Sequence, residues 1–145
     1  MRQDEIINLA RMIKQQYGTD SIKIAENLDI EIQYMSLKPS IYPAYTINVK
    51  KPIIKLNNHF TLKSQNVLCA HELGHALLHK NKIVNQFDDN HNGIYEYEAN
   101  LFAVALLFNQ EDLNFSIASM DNYLLNFFNL KSYFTNCRYK ITFVN

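Results

Sequence analysis

The stretch that most constrains this chain is His71-Glu72-Leu73-Gly74-His75, set inside an almost wholly apolar run. Val67, Leu68, Cys69 and Ala70 precede it, and Ala76, Leu77 and Leu78 follow it. The run from Leu62 to Lys80 reads as a helix, and a helix apolar nearly all round belongs inside a core. Residues four apart on a helix share a face, so His71 and His75 can aim both imidazoles at one ion. Two neutral imidazoles make half of a zinc site. Glu72 stands beside the first imidazole, where it can take a proton from an attacking water. The bland alternative is a surface helix that happens to carry two histidines and a glutamate. The apolar flanks count against it, because two imidazoles and a carboxylate inside a core need partners. A metal ion satisfies all three together. The motif therefore predicts zinc-dependent proteolysis, with a third ligand, a cleft and a substrate supplied elsewhere.

The 145 residues fit one domain, 1–145, large enough for a modest core. Fourteen basic residues balance fourteen acidic ones, which gives no electrostatic case for binding nucleic acid or a membrane surface. The opening Met-Arg-Gln-Asp-Glu is too polar for a signal peptide, and no run is long enough to span a membrane. Two cysteines, Cys69 and Cys137, make no disulfide framework, so a reducing cytoplasm is the expected setting.

Residues 1–28 read as two helices. Ile6, Ile7, Leu9, Ala10, Met12 and Ile13 form an amphipathic pattern over 4–16, and Gly18 stops it. Asp20 or Ser21 then caps a second helix reaching about Leu28. A helix-turn-helix reading of this pair has no basic face to support it. Residues 30–56 read as a small sheet: Ile30–Met35 alternates, Tyr42–Val49 follows with Pro43 at its edge, and Ile53–Leu56 comes last. Three strands in succession suggest antiparallel pairing. Thr61 is placed to cap the motif helix, 61–80. A polar loop at 81–94 contains a partial calcium-loop pattern from Asp88 to Gly93, but Ala99 stands where the bidentate Glu should be.

The segment 95–108 reads as a second buried helix, with Glu96, Glu98 and Asn100 its polar exceptions. A zinc site needs a third protein ligand, and a carboxylate suits it. Glu96 and Asn100 are four apart on one face, so Asn100 can stand behind the ligands. Glu98 points to another side, and its plain reading is a solvated carboxylate favouring the helix dipole.

His-Glu-Leu-Gly-His-Ala-Leu-Leu-His at 71–79, followed by Glu-Tyr-Glu-Ala-Asn-Leu-Phe-Ala at 96–103, resembles the ImmA/IrrE family of metallo-endopeptidases. The resemblance covers roughly 5–108 and includes the Lys-Pro-Ile-Ile strand at 51–54. In the family pattern E-x-x-[A/C]-N the Glu is the third ligand, which maps onto Glu96, with Ala99 and Asn100 completing it. One departure is visible: Leu106-Leu107 leads into Phe108-Asn109 where the family often has Pro. The resemblance implies an α+β, zincin-like domain, with a three-stranded, largely antiparallel sheet packed on the HExxH helix and the second buried helix. It implies one Zn2+ per chain on His71, His75 and Glu96, with Glu72 as the catalytic base. It further implies site-specific cleavage of a helix-turn-helix repressor encoded on a phage or other mobile element. The competing expectation is a metal-stabilised regulatory module that binds a transcription factor without cutting it. Such a module has no need of Glu72.

Other residues carry weaker expectations. Tyr45, Tyr97 and His91 are candidate oxyanion stabilisers by type alone. His79 fits a supporting or surface role better than a fourth ligand, which would close the site to water. Cys69 faces away from the ligands as a small buried residue. The segment 109–145 is expected to close the core.

Overall fold

The computed structural model describes residues 2–36, 44–80 and 93–107. Helix α1 spans Gln3–Tyr17 and buries the stripe Ile6, Ala10 and Ile13, leaving its charged face to solvent. It stops at Gly18, whose φ of 89° lies in the left-handed region, and the Gly18 N–H donates back to the Lys14 carbonyl. Helix α2, Ser21–Asn27, starts where the Asp20 carboxylate accepts from the Lys23 N–H. Asp29, at φ 62°, turns the chain into the sheet.

The three strands are β1 (Glu31–Met35), β2 (Ala44–Ile47) and β3 (Ile53–Asn57). The α+β class and the three-stranded sheet stand as expected, but the sheet is mixed. β3 lies in the centre, parallel to β1 with Glu31 opposite Ile53, and antiparallel to β2 with Ala44 opposite Leu56. The expectation of largely antiparallel pairing is thus corrected for one of the two ladders. Alternation identifies a strand by the face it buries, and says nothing about its neighbour. Here Ile54 and Leu56 are both fully buried, as a strand flanked on both sides and covered by helices requires.

Helix α3, Leu62–Leu78, is capped as the sequence suggested, with Thr61 Oγ1 accepting from the Ser64 N–H at 3.2 Å. Helix α4 spans Gly93–Leu107, so Gly93 and Ile94 belong to the helix and not to the expected 81–94 loop. The remainder of that loop, with His91 and most of the calcium-like pattern, lies outside the described residues, as does the C-terminal segment 109–145.

The core sits where α3 crosses α4 beneath the sheet. Leu68, Leu73, Leu101, Phe102 and Leu106 are fully buried there, each burial contributing roughly 1.5–3 kcal/mol. Gly74 makes the close crossing possible. A Cβ at that position would meet the Ala99 Cα at 3.0 Å and the Phe102 Cβ at 3.3 Å. The absent side chain thereby brings the α4 turn from Glu96 to Asn100 against the His71–His75 turn of α3. Among the described residues no helix is long and apolar enough to cross a membrane.

Candidate metal centre

His71 and His75 lie one turn apart on α3, and Glu96 faces them from the first turn of α4. A ligand atom from each lies within 4.8 Å of the others, a grouping that could hold one metal ion. The Glu96 carboxylate spans the two rings, with Oε2 3.0 Å from His71 Nε2 and Oε1 2.9 Å from His75 Nε2. The rings stand edge to face, centroids 4.8 Å apart, so both Nε2 atoms converge on the carboxylate. Both imidazoles are buried, as the apolar flanks of the motif require.

Electrostatics differ between the two rings. Burial pushes His75 down to about 4, which leaves it neutral, as a ligand must be. Burial also opposes charge on His71, but the Glu96 carboxylate, with Glu72 and Asn100 adding to it, outweighs that and the net direction is up. Glu96 is itself partly buried, which works against its charge, yet the two imidazoles hold it well below the usual carboxylate range. A cation seated among these three groups would meet a ready anion and two lone pairs, at the cost of displacing a proton.

Glu72 is buried beside the three candidate ligands. Its Oε1 accepts from Thr46 Oγ1 at 2.8 Å. Its Oε2 lies 3.7 Å from His71 Nε2 and has no hydrogen-bond partner among the described residues. Burial pushes this carboxyl up to about 7, with Glu96 adding to the rise and His71 and Thr46 opposing it. This buried carboxyl oxygen lies beside the candidate ligand atoms, and a value near neutrality suits proton transfer in both directions.

The groups behind the candidate ligands were only partly foreseeable. Asn100 does stand behind His71, with Oδ1 2.5 Å from Nδ1, as its spacing from Glu96 suggested. His79 Nδ1 lies 2.9 Å from His75 Nδ1, and His79 Nε2 lies 3.0 Å from Glu98 Oε1. Glu98 is therefore not the solvated first-turn carboxylate expected of it. It is 8% exposed and faces His79 across the α3–α4 crossing. The expectation placed it correctly on a different side from Glu96, but had no means of seeing what that side packs against. Thr46 and Asn48 carried no sequence signal. Both come from the β2 region, and Asn48 Nδ2 donates to the carbonyls of His75 and His79 at 3.0 and 2.7 Å.

Of the oxyanion candidates, the Tyr97 hydroxyl accepts from Gln3 Nε2 at 3.2 Å, and the Tyr45 ring has Lys55 Nζ 5.7 Å from its centroid. Cys69 is buried, and desolvation pushes its thiol up to about 12, in keeping with the inert packing role expected of it.

A buried helix bearing two imidazoles is joined at a close crossing by a helix bearing a carboxylate, an arrangement that could hold one metal ion. Comparison with known families agrees: the peptidase M78 family, described as the IrrE N-terminal-like domain, matches residues 25–137. The chain belongs to that family of metallopeptidases. It is also similar to "Uncharacterized immunity region protein 2" of Bacillus phage phi105, at 30% identity over 105 residues. That match takes in 67% of this chain and 63% of the phage protein, so less than two thirds of the relative's length is spanned. No solved structure matches the chain.

Proposed function

We propose that this chain is a zinc-dependent endopeptidase, with His71, His75 and Glu96 as the metal ligands and Glu72 as the catalytic base. The observation that carries the reading is the convergence of three ligand atoms within 4.8 Å, with a buried carboxylate alongside that the ligand set itself does not require. The donor set of two imidazoles and one carboxylate fits zinc in the open, three-ligand arrangement of catalytic sites. When bound, the ion supplies Lewis acidity that activates water and polarises a peptide carbonyl.

The chain's own residues do the rest. His71 and His75 present Nε2 from one helix face, and Asn100 holds the first ring in place from behind. Glu72, steadied at Oε1 by Thr46, keeps Oε2 for the attacking water. It takes one proton as the water oxygen bonds to the carbonyl carbon, and delivers it to the amine as the C–N bond breaks. Thr46 lies on β2, at the edge of the sheet, so an extended substrate could run beside that strand and reach Glu72.

The substrate we propose is a helix-turn-helix repressor of a phage or other mobile element, met in the cytoplasm. Membership of the peptidase family and the similarity to a phage immunity-region protein support that choice. The test is incubation of the purified chain and its Glu72→Gln variant with repressors encoded beside its gene, read by mass spectrometry of the products. One defined cut by the wild type, lowered about 100-fold or more in the variant, is the expected result. Equal loss of repression by both proteins, without a cut, would replace proteolysis with simple binding.

A further inference from the structure

The two ligand imidazoles are supported in different ways. His71 is backed by an amide oxygen, that of Asn100. His75 is backed by a second imidazole, that of His79, which is in turn backed by the carboxylate of Glu98. We propose that His79 and Glu98 are a positioning pair for the metal site, fixing His75 as the ligand that offers Nε2. This inference rests on the metal reading given above.

The hydrogen-bond arithmetic leaves one arrangement. A His75 that gives its Nε2 lone pair to an ion must carry its proton on Nδ1. That N–H points at His79 Nδ1, 2.9 Å away, which must then accept. A neutral His79 accepting at Nδ1 carries its proton on Nε2, and Glu98 Oε1 lies 3.0 Å from that atom. The carboxylate accepts it. Each donor in the row has one acceptor, and only one tautomer of each ring satisfies the whole. Metal-bound imidazoles characteristically donate their other N–H to an acceptor that fixes the ring, most often a carboxylate, carbonyl or water. In this chain a second histidine is inserted between ligand and carboxylate.

The surroundings hold the row rigid. His79 and Glu98 are 3% and 8% exposed, so water does not compete well for either. The Tyr95 ring lies against His79 with centroids 4.4 Å apart. Asn48 ties the carbonyls of His75 and His79 to the end of β2, so the last turn of α3 cannot fray away from the site. His79 is the C-cap residue of α3, where a helix end would otherwise be free to move.

The test is zinc affinity, measured by competition with a chelating dye on the full chain and three variants, beside thermal unfolding of each in EDTA. His79→Phe keeps ring volume without an acceptor, and about 10–100-fold weaker zinc binding is expected. His79→Gln restores an acceptor for His75 Nδ1, and recovery of most of the affinity is expected. Glu98→Gln leaves a neutral acceptor for His79, and a smaller loss, a few-fold, is expected. Cobalt-substituted protein should show a shifted visible spectrum in His79→Phe, since the ligand field changes when the His75 ring turns. If His79→Phe binds zinc like the wild type, while unfolding in EDTA at a changed temperature, His79 is core packing and the proposal falls. Equal losses in His79→Phe and His79→Gln would also overturn it. A wild-type chain that takes up no zinc would overturn the metal reading itself, and this inference with it.

Discussion

Helices α1 and α3 are close in length, 15 and 17 residues, and they meet the core in opposite ways. α1 buries one stripe and turns its charges outward, so its polar groups keep their water. α3 is buried on nearly every side from Ser64 to Ala76, and its polar groups come inside with it. Each then needs a partner. Gln65 Nε2 donates to the Phe60 carbonyl, Glu72 accepts from Thr46, His71 meets Asn100 and Glu96, and His75 meets His79 and Glu96. The difference teaches where chemistry can be sought. Polarity on α1 carries no burial cost, whereas polarity inside α3 is costly unless satisfied, and three of its polar side chains, His71, Glu72 and His75, converge on one point.

Truncation should expose the contrast most strongly. Leu68→Ala in α3, at a fully buried position, should cost about 3 kcal/mol in urea unfolding. Met12→Ala in α1, at a side chain 59% exposed, should stay within about 0.5 kcal/mol. Similar costs for the two would mean that α3 is not the buried member of the pair.

Gly74→Ala sharpens the comparison at the helix crossing. The new Cβ would press on the Ala99 backbone at 3.0 Å, and neither helix can yield cheaply there. A loss of about 2 kcal/mol is expected, together with weaker metal binding as Glu96 is pushed away from the histidines. An unchanged unfolding midpoint would show that the crossing has slack.

The smallest effect concerns the charge that α3 buries. The Glu72 carboxyl is raised from 4.5 to about 7, so between those values the folded metal-free chain holds a proton that the unfolded chain has lost. Its contribution to stability is fully present below pH 4.5 and is lost as pH rises through 7. Above pH 7 the folded chain keeps a buried charge that Thr46 and His71 only partly offset. Glu72→Gln should therefore stabilise the EDTA-treated protein by about 1–2 kcal/mol at pH 8, with the gain fading toward pH 4. A gain that grew as the pH fell would contradict the burial account. The Glu72→Gln variant should thus be the sturdier protein in the absence of metal.

Much of this was legible in the chain itself. The apolar flanks of the motif announced a buried helix, Thr61 and Gly18 marked helix ends, and the four-residue spacing of Glu96 and Asn100 placed both on one face of their helix. What escaped were relations between elements. The alternation in Ile30–Met35 marked a strand and could not say that β3 would lie beside it in parallel. Glu98 looked like a surface carboxylate because its partner, His79, lies 19 residues away on another helix. Thr46 and Asn48 are ordinary polar residues in an ordinary strand, and only the packing of β2 against α3 gives them work.

Zinc content and zinc affinity of the purified chain, measured beside His75→Ala and Glu96→Ala, test the central claim most directly. The account predicts about one zinc per wild-type chain and a loss of about 100-fold or more in affinity in both variants. Zinc held at wild-type affinity by Glu96→Ala would contradict the ligand set, and a wild-type chain that binds none would contradict the metal centre altogether.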